Sequence, residues 1–250
     1  YPVIEKLIRQ FVVCSDVNPD RVIAIGYSHG GYGAFAVGPK LPHRFAAVHA
    51  SAAAPTAGQS LPDGLHSLQF SFMVGGKDTA YGRRERCEKF AAQLGMLQKL
   101  YPGRYATKFT LVEGNGHGGL PDRDLLRELV GSRRTAIPKE LVWQLSDGTV
   151  RCHYWLHVDQ PKPGAKISAA ITEAGDVHVS SPMPVRLWLD ARLIAMQSSL
   201  TLMQELQIGG GASAEKGGSV TPLPSLRTLC ATMQECGDPN LAATWILSVE

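Results

Sequence analysis

Residues 21–36, RVIAIGYSHGGYGAFA, constrain the fold of this chain more than any other stretch. Within it, 22–25 is a short apolar run rich in β-branched residues, bounded by Asn18-Pro19-Asp20 and by Gly26, which predicts a buried strand of a parallel sheet. The small residues of 31–36 are typical of a helix packed tightly on such a sheet. A strand, a G-x-S-x-G turn and a helix in this order predict a nucleophile elbow.

The turn Gly26-Tyr27-Ser28-His29-Gly30 is expected to present the hydroxyl of Ser28 at the carboxyl end of the sheet. We expect a strained backbone at Ser28, and we expect side chains at Gly26 and Gly30 to clash with the neighbouring strand and helix. The alternative is a small-residue turn with a solvent-facing serine, since a bare G-x-S-x-G is common by chance. The strand before the turn and the helix after it favour the elbow.

A nucleophilic serine needs a base, and the base needs an acid that orients it. In folds with this elbow the three occur in the order Ser, Asp/Glu, His. Asp78 follows the strand-like run 69–74, and His117 follows the run 109–113 inside a loop with four glycines. Asp78 taken alone has an alternative interpretation as a turn aspartate. Asp122 is a rival acid, but Pro121-Asp122 is typical of a helix start, where an acid interacts with the helix dipole.

The segments GYSHGGYGAF, GGKDTAYGRRE and EGNGHGGLPDRD resemble the α/β-hydrolase superfamily. They are similar to bacterial serine esterases of the dienelactone-hydrolase, carboxylesterase and polyhydroxybutyrate-depolymerase-like groups, several of which carry an extra C-terminal domain. The resemblance covers about residues 1–133. It implies Ser28 as nucleophile, His117 as general base and Asp78 as the residue that orients His117.

The activity implied is hydrolysis of a small or polymeric carboxylic ester through an acyl-enzyme on Ser28, with the backbone N–H of His29 stabilising the oxyanion. This chemistry needs no cofactor and no metal. An ester is preferred to a peptide on the resemblance alone. Two alternatives stay open: a prolyl-oligopeptidase-like peptidase, and a non-catalytic binding protein that kept the hydrolase scaffold.

The chain opens on a predicted helix, because its apolar residues between 4 and 12 fall on one helical face, and it reaches the elbow by residue 28. The resemblance implies further strands before the elbow, with the loop after one of them donating a second N–H to the oxyanion. We therefore expect the C-terminal part of a longer protein, with the missing N-terminal segment as a partner. Because losing one oxyanion donor costs ~2.7–4 kcal/mol, we expect the isolated chain to be weakly active or inert.

The predicted architecture is the C-terminal part of a doubly wound α/β sheet over residues 1–133, followed by a small antiparallel β-rich domain over 134–250. Gly131–Lys139 is typical of a linker, and all four tryptophans follow it. After the linker, strand–helix alternation gives way to short runs with a period of two. Strands are predicted at 141–145, 150–158, 167–171, 177–179, 185–189 and 244–249, a helix at 225–235 and a flexible loop at 209–218.

Two tryptophans of the predicted β-rich domain lie opposite the apolar faces of their strands. Trp155 shares a face with Arg151, His153 and His157, and Trp188 lies opposite the apolar side chains of 185–189. The favoured interpretation is that both rings pack against another part of the protein. The alternative is a binding surface for a polymer or a glycan.

Composition excludes several partners. A net charge of +3 is too small to indicate nucleic acid, and the basic run 83–86 is typical of the solvated face of a helix. No apolar run approaches the ~20 residues of a membrane span. The five cysteines are scattered without metal-ligand spacing. We therefore expect no nucleic acid, no membrane span and no metal site, while the compartment stays undetermined.

Overall fold

The computed structural model describes residues 1–194, 200–208 and 212–249. The chain divides into two compact units, residues 18–135 and residues 1–17 together with 136–250. The sequence placed residues 1–17 with the first domain, whereas their helix α1 (Pro2–Cys14) belongs to the second unit. There, Arg9 donates a hydrogen bond of 3.5 Å to the carbonyl of Glu235.

Residues 18–135 form a four-stranded parallel sheet of order β1-β2-β3-β4, with helices between the strands. The alternation of strand and helix predicted from the sequence is confirmed, and the fold class is mixed α/β. The strands are β1 (Ile23–Tyr27), β2 (Ala47–Ser51), β3 (Gln69–Gly75) and β4 (Thr107–Val112), and the helices are α2 (His29–Lys40), α3 (Arg83–Leu100) and α4 (Asp122–Leu129).

Helices α2 and α3 cover one face of this sheet through aromatic side chains. Phe35 of α2 and Phe90 of α3 meet Phe70 and Phe72 of β3, with ring centroids between 5.4 and 5.9 Å apart. All four rings are almost fully buried. Burial of such large rings stabilises the core of this unit.

Helix α4 covers the opposite face. Leu125 and Leu129 pack in one apolar cluster with Ala47 of β2 and Met73 of β3. Side chains of a strand alternate between the two faces, which explains why odd-numbered residues of β2 and β3 face α4. With helices on both faces, the unit is doubly wound as predicted.

Strand β1 corrects one expectation. The sequence predicted a fully buried strand, yet Ile25 and Tyr27 are 40% and 37% exposed. The reason is position: β1 lies at the edge of the described sheet and pairs on one side with β2, all five residues of which are buried. The run of β-branched residues predicted the strand but not its place in the sheet.

The described residues between 136 and 249 form two further sheets, of orders β12-β11-β9-β8-β5 and β13-β10-β7-β6, and the helix α5 (Leu226–Cys236). Among the described strands of this unit, β9 and β11 pair in parallel and the other pairs are antiparallel. The strands are β5 (Glu140–Gln144), β6 (Cys152–His153), β7 (Leu156–His157), β8 (Lys166–Ile171), β9 (Val177–Ser180), β10 (Val185–Leu189), β11 (Leu200–Ile208), β12 (Ala212–Val220) and β13 (Trp245–Val249).

The alternative in which Trp155 and Trp188 form a binding surface is wrong, because each residue is only 2% exposed. The chain reverses at Tyr154, whose φ is +57°, so the predicted strand 150–158 is a hairpin of β6 and β7 rather than one strand with two faces. The indole N–H of Trp155 donates to the carbonyl of Pro138 at 2.7 Å. The ring of Trp188 stacks on His157 with centroids 3.5 Å apart. Both rings are core residues of this unit.

The predicted loop over 209–218 is wrong for residues 212–218, which belong to β12 and pair with β11. Residues 209–211 lie outside the described part of the chain. The small residues of this segment are common in loops, and their sequence carries no sign of the partner strand. Within the described residues, no helix has the length and apolar character that a membrane crossing requires.

Candidate active site

Ser28 lies between β1 and α2 in a strained backbone conformation, with φ 56° and ψ −116°. Residues other than glycine rarely adopt a positive φ, and holding one there costs about 1–3 kcal/mol. Two backbone hydrogen bonds hold it: its N–H donates to the carbonyl of Ser51 at 2.9 Å, and its carbonyl accepts from the N–H of Tyr32 at 3.1 Å. The surrounding backbone therefore fixes the direction in which the serine hydroxyl points.

The glycines around Ser28 agree with the expectation at one position and correct it at another. A Cβ at Gly26 would lie 1.9 Å from the carbonyl oxygen of Gly30, so this position requires glycine. A Cβ at Gly30 would meet nothing within 4 Å, so the expected clash there is wrong. Gly31 is the second close approach, because its Cβ would lie 2.4 Å from the carbonyl oxygen of Ser51. Gly30 is exposed, whereas Gly31 is buried against β2.

The three side chains singled out in the sequence meet at the carboxyl ends of the strands. Ser28 Oγ lies 2.9 Å from His117 Nε2, and His117 Nδ1 lies 2.8 Å from Asp78 Oδ2. Asp78 follows β3 and His117 follows β4, and carboxyl ends of parallel strands share one edge of a sheet. Asp122, the rival acid, begins α4 instead.

Arg83 is the site residue that sequence reasoning missed, since it was assigned to a solvated helix face. Its Nη1 donates to Asp78 Oδ1 at 2.7 Å, and its Nε donates to the hydroxyl of Tyr32 at 3.2 Å. The side chains of Arg83 and Asp78 are 9% and 2% exposed. Burial opposes the charged guanidinium, but the hydrogen bonds to Asp78 and Tyr32 outweigh it and raise the pKa of Arg83. Each carboxylate oxygen of Asp78 is thus held by one partner.

Tyr27 contacts His117 through both its hydroxyl and its ring. Its hydroxyl donates a short hydrogen bond to the carbonyl of His117, and the two rings meet edge to face at 6.0 Å. Burial, followed by the charges of Asp122 and Asp78, raises the pKa of Tyr27, so the phenol stays protonated and acts as a donor. Its place directly before the serine was the only sign of this role in the sequence.

The loop that carries His117 is held in place by two hydrogen bonds of Asn115. Asn115 Nδ2 donates to the carbonyl of Gly119 at 2.9 Å, and the N–H of Lys77 donates to the carbonyl of Asn115 at 2.9 Å. The second bond connects this loop to the one that carries Asp78. These two bonds therefore constrain the backbone around His117, although the loop is rich in glycine.

The backbone N–H of His29 lies at the first position of α2, and no side chain caps this helix. The first N–H groups of a helix have no partner within the helix, and they stabilise negative charge. The N–H of His29 therefore lies next to Ser28, where the sequence predicts an oxyanion donor. Both ring nitrogens of His117 already face protein groups, so the arrangement suits proton transfer rather than metal ligation.

No protein-family model matches the chain, and no curated protein matches it. In structure it is similar to a thermostable esterase, with a TM-score of 0.43 and 15% identity over 53% of this chain and 36% of that one. It is also similar to esterase PE8, with a TM-score of 0.40 and 20% identity over 51% and 59% of the two chains. A predicted CIB-like hydrolase from Thermoplasma acidophilum gives a TM-score of 0.32 and 18% identity over 50% and 56%. The chain thus spans between 36% and 59% of the length of these proteins.

Proposed function

We propose that this chain is a serine hydrolase that cleaves carboxylic esters through an acyl-enzyme on Ser28. The observation that carries the proposal is the continuous hydrogen-bonded series from Ser28 Oγ through the ring of His117 to Asp78, with distances of 2.9 and 2.8 Å. A nucleophile bonded to a base, and that base bonded to an orienting acid, is the arrangement that activates a serine hydroxyl.

In the proposed reaction His117 Nε2 takes the proton of Ser28 Oγ while the oxygen attacks the ester carbonyl. The negative charge that develops on the carbonyl oxygen is stabilised by the N–H of His29. His117 then gives the proton to the departing alkoxide, which leaves as the alcohol. A water molecule attacks the acyl-enzyme, loses its proton to His117, and releases the acid as the proton returns to Ser28.

Asp78 and Arg83 prepare the base for this cycle. Asp78 accepts from Nδ1–H of His117, which keeps the proton on Nδ1 and leaves the lone pair of Nε2 toward Ser28. Arg83 donates to the other carboxylate oxygen, and the hydrogen bond of this ion pair helps to raise the pKa of its guanidinium. Asp78 therefore cannot rotate without breaking a buried ion pair, which fixes the orientation of the imidazole.

The ester preference rests on the resemblance of the three sequence segments, and the site geometry serves amide cleavage equally well. The peptidase alternative therefore differs in substrate rather than in mechanism. The other alternative is a binding protein without catalysis. The hydrogen bonds of His117 to Ser28 and to Asp78 favour the hydrolase over it.

The test is pre-steady-state hydrolysis of p-nitrophenyl acetate and butyrate beside peptide p-nitroanilides. We expect a slow burst of one p-nitrophenol per chain, in line with the weak activity expected from the sequence. It should be lost in Ser28→Ala and retained in Ser15→Ala, a change of an exposed serine outside the unit of residues 18–135. Faster turnover of the anilides would favour the peptidase. A folded chain that shows no burst with either substrate class would contradict the proposal.

A further inference from the structure

Strand β2 carries a buried polar network that the proposed reaction does not use. His49 is 1% exposed, and its ring lies between two serine hydroxyls. Its Nδ1 is 2.8 Å from Ser71 Oγ, and its Nε2 is 2.8 Å from Ser51 Oγ. A neutral imidazole offers one donor and one acceptor, and a hydroxyl serves as either, so every ring nitrogen is satisfied.

The network reaches Ser28 through the backbone of Ser51. The carbonyl of Ser51 accepts the N–H of Ser28 at 2.9 Å, one of the two bonds that hold the strained serine. The same carbonyl limits the first turn of α2, because a Cβ at Gly31 would lie 2.4 Å from it. A small shift of Ser51 would therefore move both the serine and the start of α2.

Ser51 is also the last residue of β2, and it pairs in register with Tyr27 of β1 and Met73 of β3. The next residue, Ala52, has a φ of +51°, so the chain leaves the strand direction immediately. At this end of the strand the hydrogen bond of the Ser51 side chain to His49 adds a side-chain anchor to the backbone pairing. His49 in turn bridges to Ser71 on β3, its neighbour in register.

The chemical state of His49 suits a fixed anchor. Burial lowers its pKa to about 4, against an opposing effect of the Asp122 carboxylate at the start of α4. The imidazole is therefore neutral at physiological pH. A neutral ring with both nitrogens hydrogen-bonded holds a constant geometry and does not exchange protons with the site.

We propose that His49 is a positioning residue: through Ser51 it fixes the carbonyl that holds Ser28, and so sets the approach of Ser28 Oγ to His117. The consequence for reaction rate rests on the proposed hydrolase function, whereas the effect on the backbone of Ser28 does not. The competing interpretation is that the network only fills polar space between β2 and β3 and contributes stability alone.

Two serines separate these interpretations because they are matched. Ser51 and Ser71 are both buried, and each hydroxyl lies 2.8 Å from a nitrogen of the same ring. Deleting either hydroxyl leaves one ring nitrogen unpaired, so the two losses of stability are expected to be similar. Of these two serines, only Ser51 forms a hydrogen bond with the backbone of Ser28.

The experiment compares Ser51→Ala and Ser71→Ala with the unchanged chain in two measurements. The first is the rate of Ser28 labelling by a fluorophosphonate, with the final labelled fraction recorded separately. The second is hydrogen exchange of the Ser28 amide. We expect Ser51→Ala to slow labelling about tenfold at an unchanged final fraction, since small misplacements of a reacting group cost up to ~10²-fold. Its Ser28 amide should exchange faster, while Ser71→Ala should change both much less.

His49→Leu removes both bonds at similar volume and is the second variant, expected to behave as Ser51→Ala does. Ser51→Thr keeps the hydroxyl and should restore both values. Equal changes in Ser51→Ala and Ser71→Ala, or an unchanged Ser28 amide in Ser51→Ala, would overturn the proposal. A chain whose Ser28 is never labelled defeats the hydrolase proposal instead, and the exchange measurement then decides the role of His49 alone.

Discussion

The two faces of the parallel sheet differ because the face under α4 carries a buried polar network beside its apolar cluster. On the face under α2 and α3, β3 contributes Phe70 and Phe72 to a cluster of buried rings. On the face under α4, the same strand contributes Ser71, which bonds to His49 of β2. Neighbouring residues of β3 point to opposite faces of the sheet, so Phe70 and Phe72 join the ring cluster while Ser71 joins the polar network.

The two faces contribute differently to the stability of this unit and to the geometry around Ser28. The aromatic face buries large rings that contribute to folding without directional bonds. The polar face buries groups that are satisfied only in one arrangement, and that arrangement ends at the backbone of Ser28. Changes on the first face should lower stability, and changes on the second should alter the site at Ser28.

Asp78→Asn is the change with the largest expected effect. An asparagine in place of the carboxylate favours the wrong tautomer of His117 and leaves Arg83 without its buried partner. We expect the labelling rate of Ser28 and the turnover of p-nitrophenyl esters to fall roughly 10³–10⁴-fold. Asp122→Asn, a change of the other acid near the site, is the matched control and should stay within a few fold. Equal losses in both variants would mean that Asp78 is not the orienting acid.

Phe72→Ala tests the aromatic face. The ring is 1% exposed and touches Phe35, Phe90 and Phe109, so its loss leaves a cavity that costs about 3–5 kcal/mol of unfolding free energy. Urea unfolding measures this change, and Phe72→Leu provides a milder variant. We expect the labelling rate of the folded fraction to stay within twofold. A rate that falls as much as in Asp78→Asn would break the distinction between the faces.

The pH dependence of stability tests the polar face. The pKa of folded His49 is lowered to about 4, below the ordinary value of 6.5, so the unfolded chain binds the proton first as the pH falls. Stability contributed by the neutral ring is present above pH 6.5 and is lost as the pH falls toward 4. The shift corresponds to about 3 kcal/mol. Urea unfolding at several pH values should show a shallower acid loss in His49→Leu. An unchanged pH profile in that variant would contradict the buried neutral state.

Tyr27→Phe has the smallest expected effect. It removes the hydrogen bond to the carbonyl of His117 from a side chain that is 37% exposed. A bond of this kind contributes about 0.5–1.5 kcal/mol to stability, so the unfolding free energy should fall by no more than this amount. Because the bond holds the backbone of His117, labelling of Ser28 should also slow several-fold. Slower labelling supports the positioning role, and a loss of stability at an unchanged labelling rate would count against it.

Local sequence motifs predicted the first unit well because each strand there is followed by a turn with its own signature. The order of Ser28, Asp78 and His117 along the chain was sufficient to predict that they meet, since parallel strands bring their carboxyl ends to one edge. The edge position of β1 was not predictable, because a β-branched run is the same at an edge and at a centre. Arg83 was missed because nothing local separates it from the solvated arginines beside it.

The second unit shows the limit of the period-two pattern. A run of nine alternating residues predicted one strand with Trp155 on its second face. The chain instead reverses at Tyr154, whose positive φ has no recognisable signature in the sequence. The segment 212–218 is a strand because β11 lies beside it, and its small residues alone predicted a loop. Both errors concern which neighbouring segments pair as strands, and local propensity does not contain this information.

The most direct test of the account is covalent labelling of the purified 250-residue chain by a fluorophosphonate, with the adduct located by mass spectrometry. The account predicts one adduct per chain, on Ser28, absent from Ser28→Ala and slowed by Asp78→Asn. An intact, folded chain that carries no adduct on Ser28, or that is labelled equally on exposed serines, would contradict the central claim that the contact with His117 activates this hydroxyl.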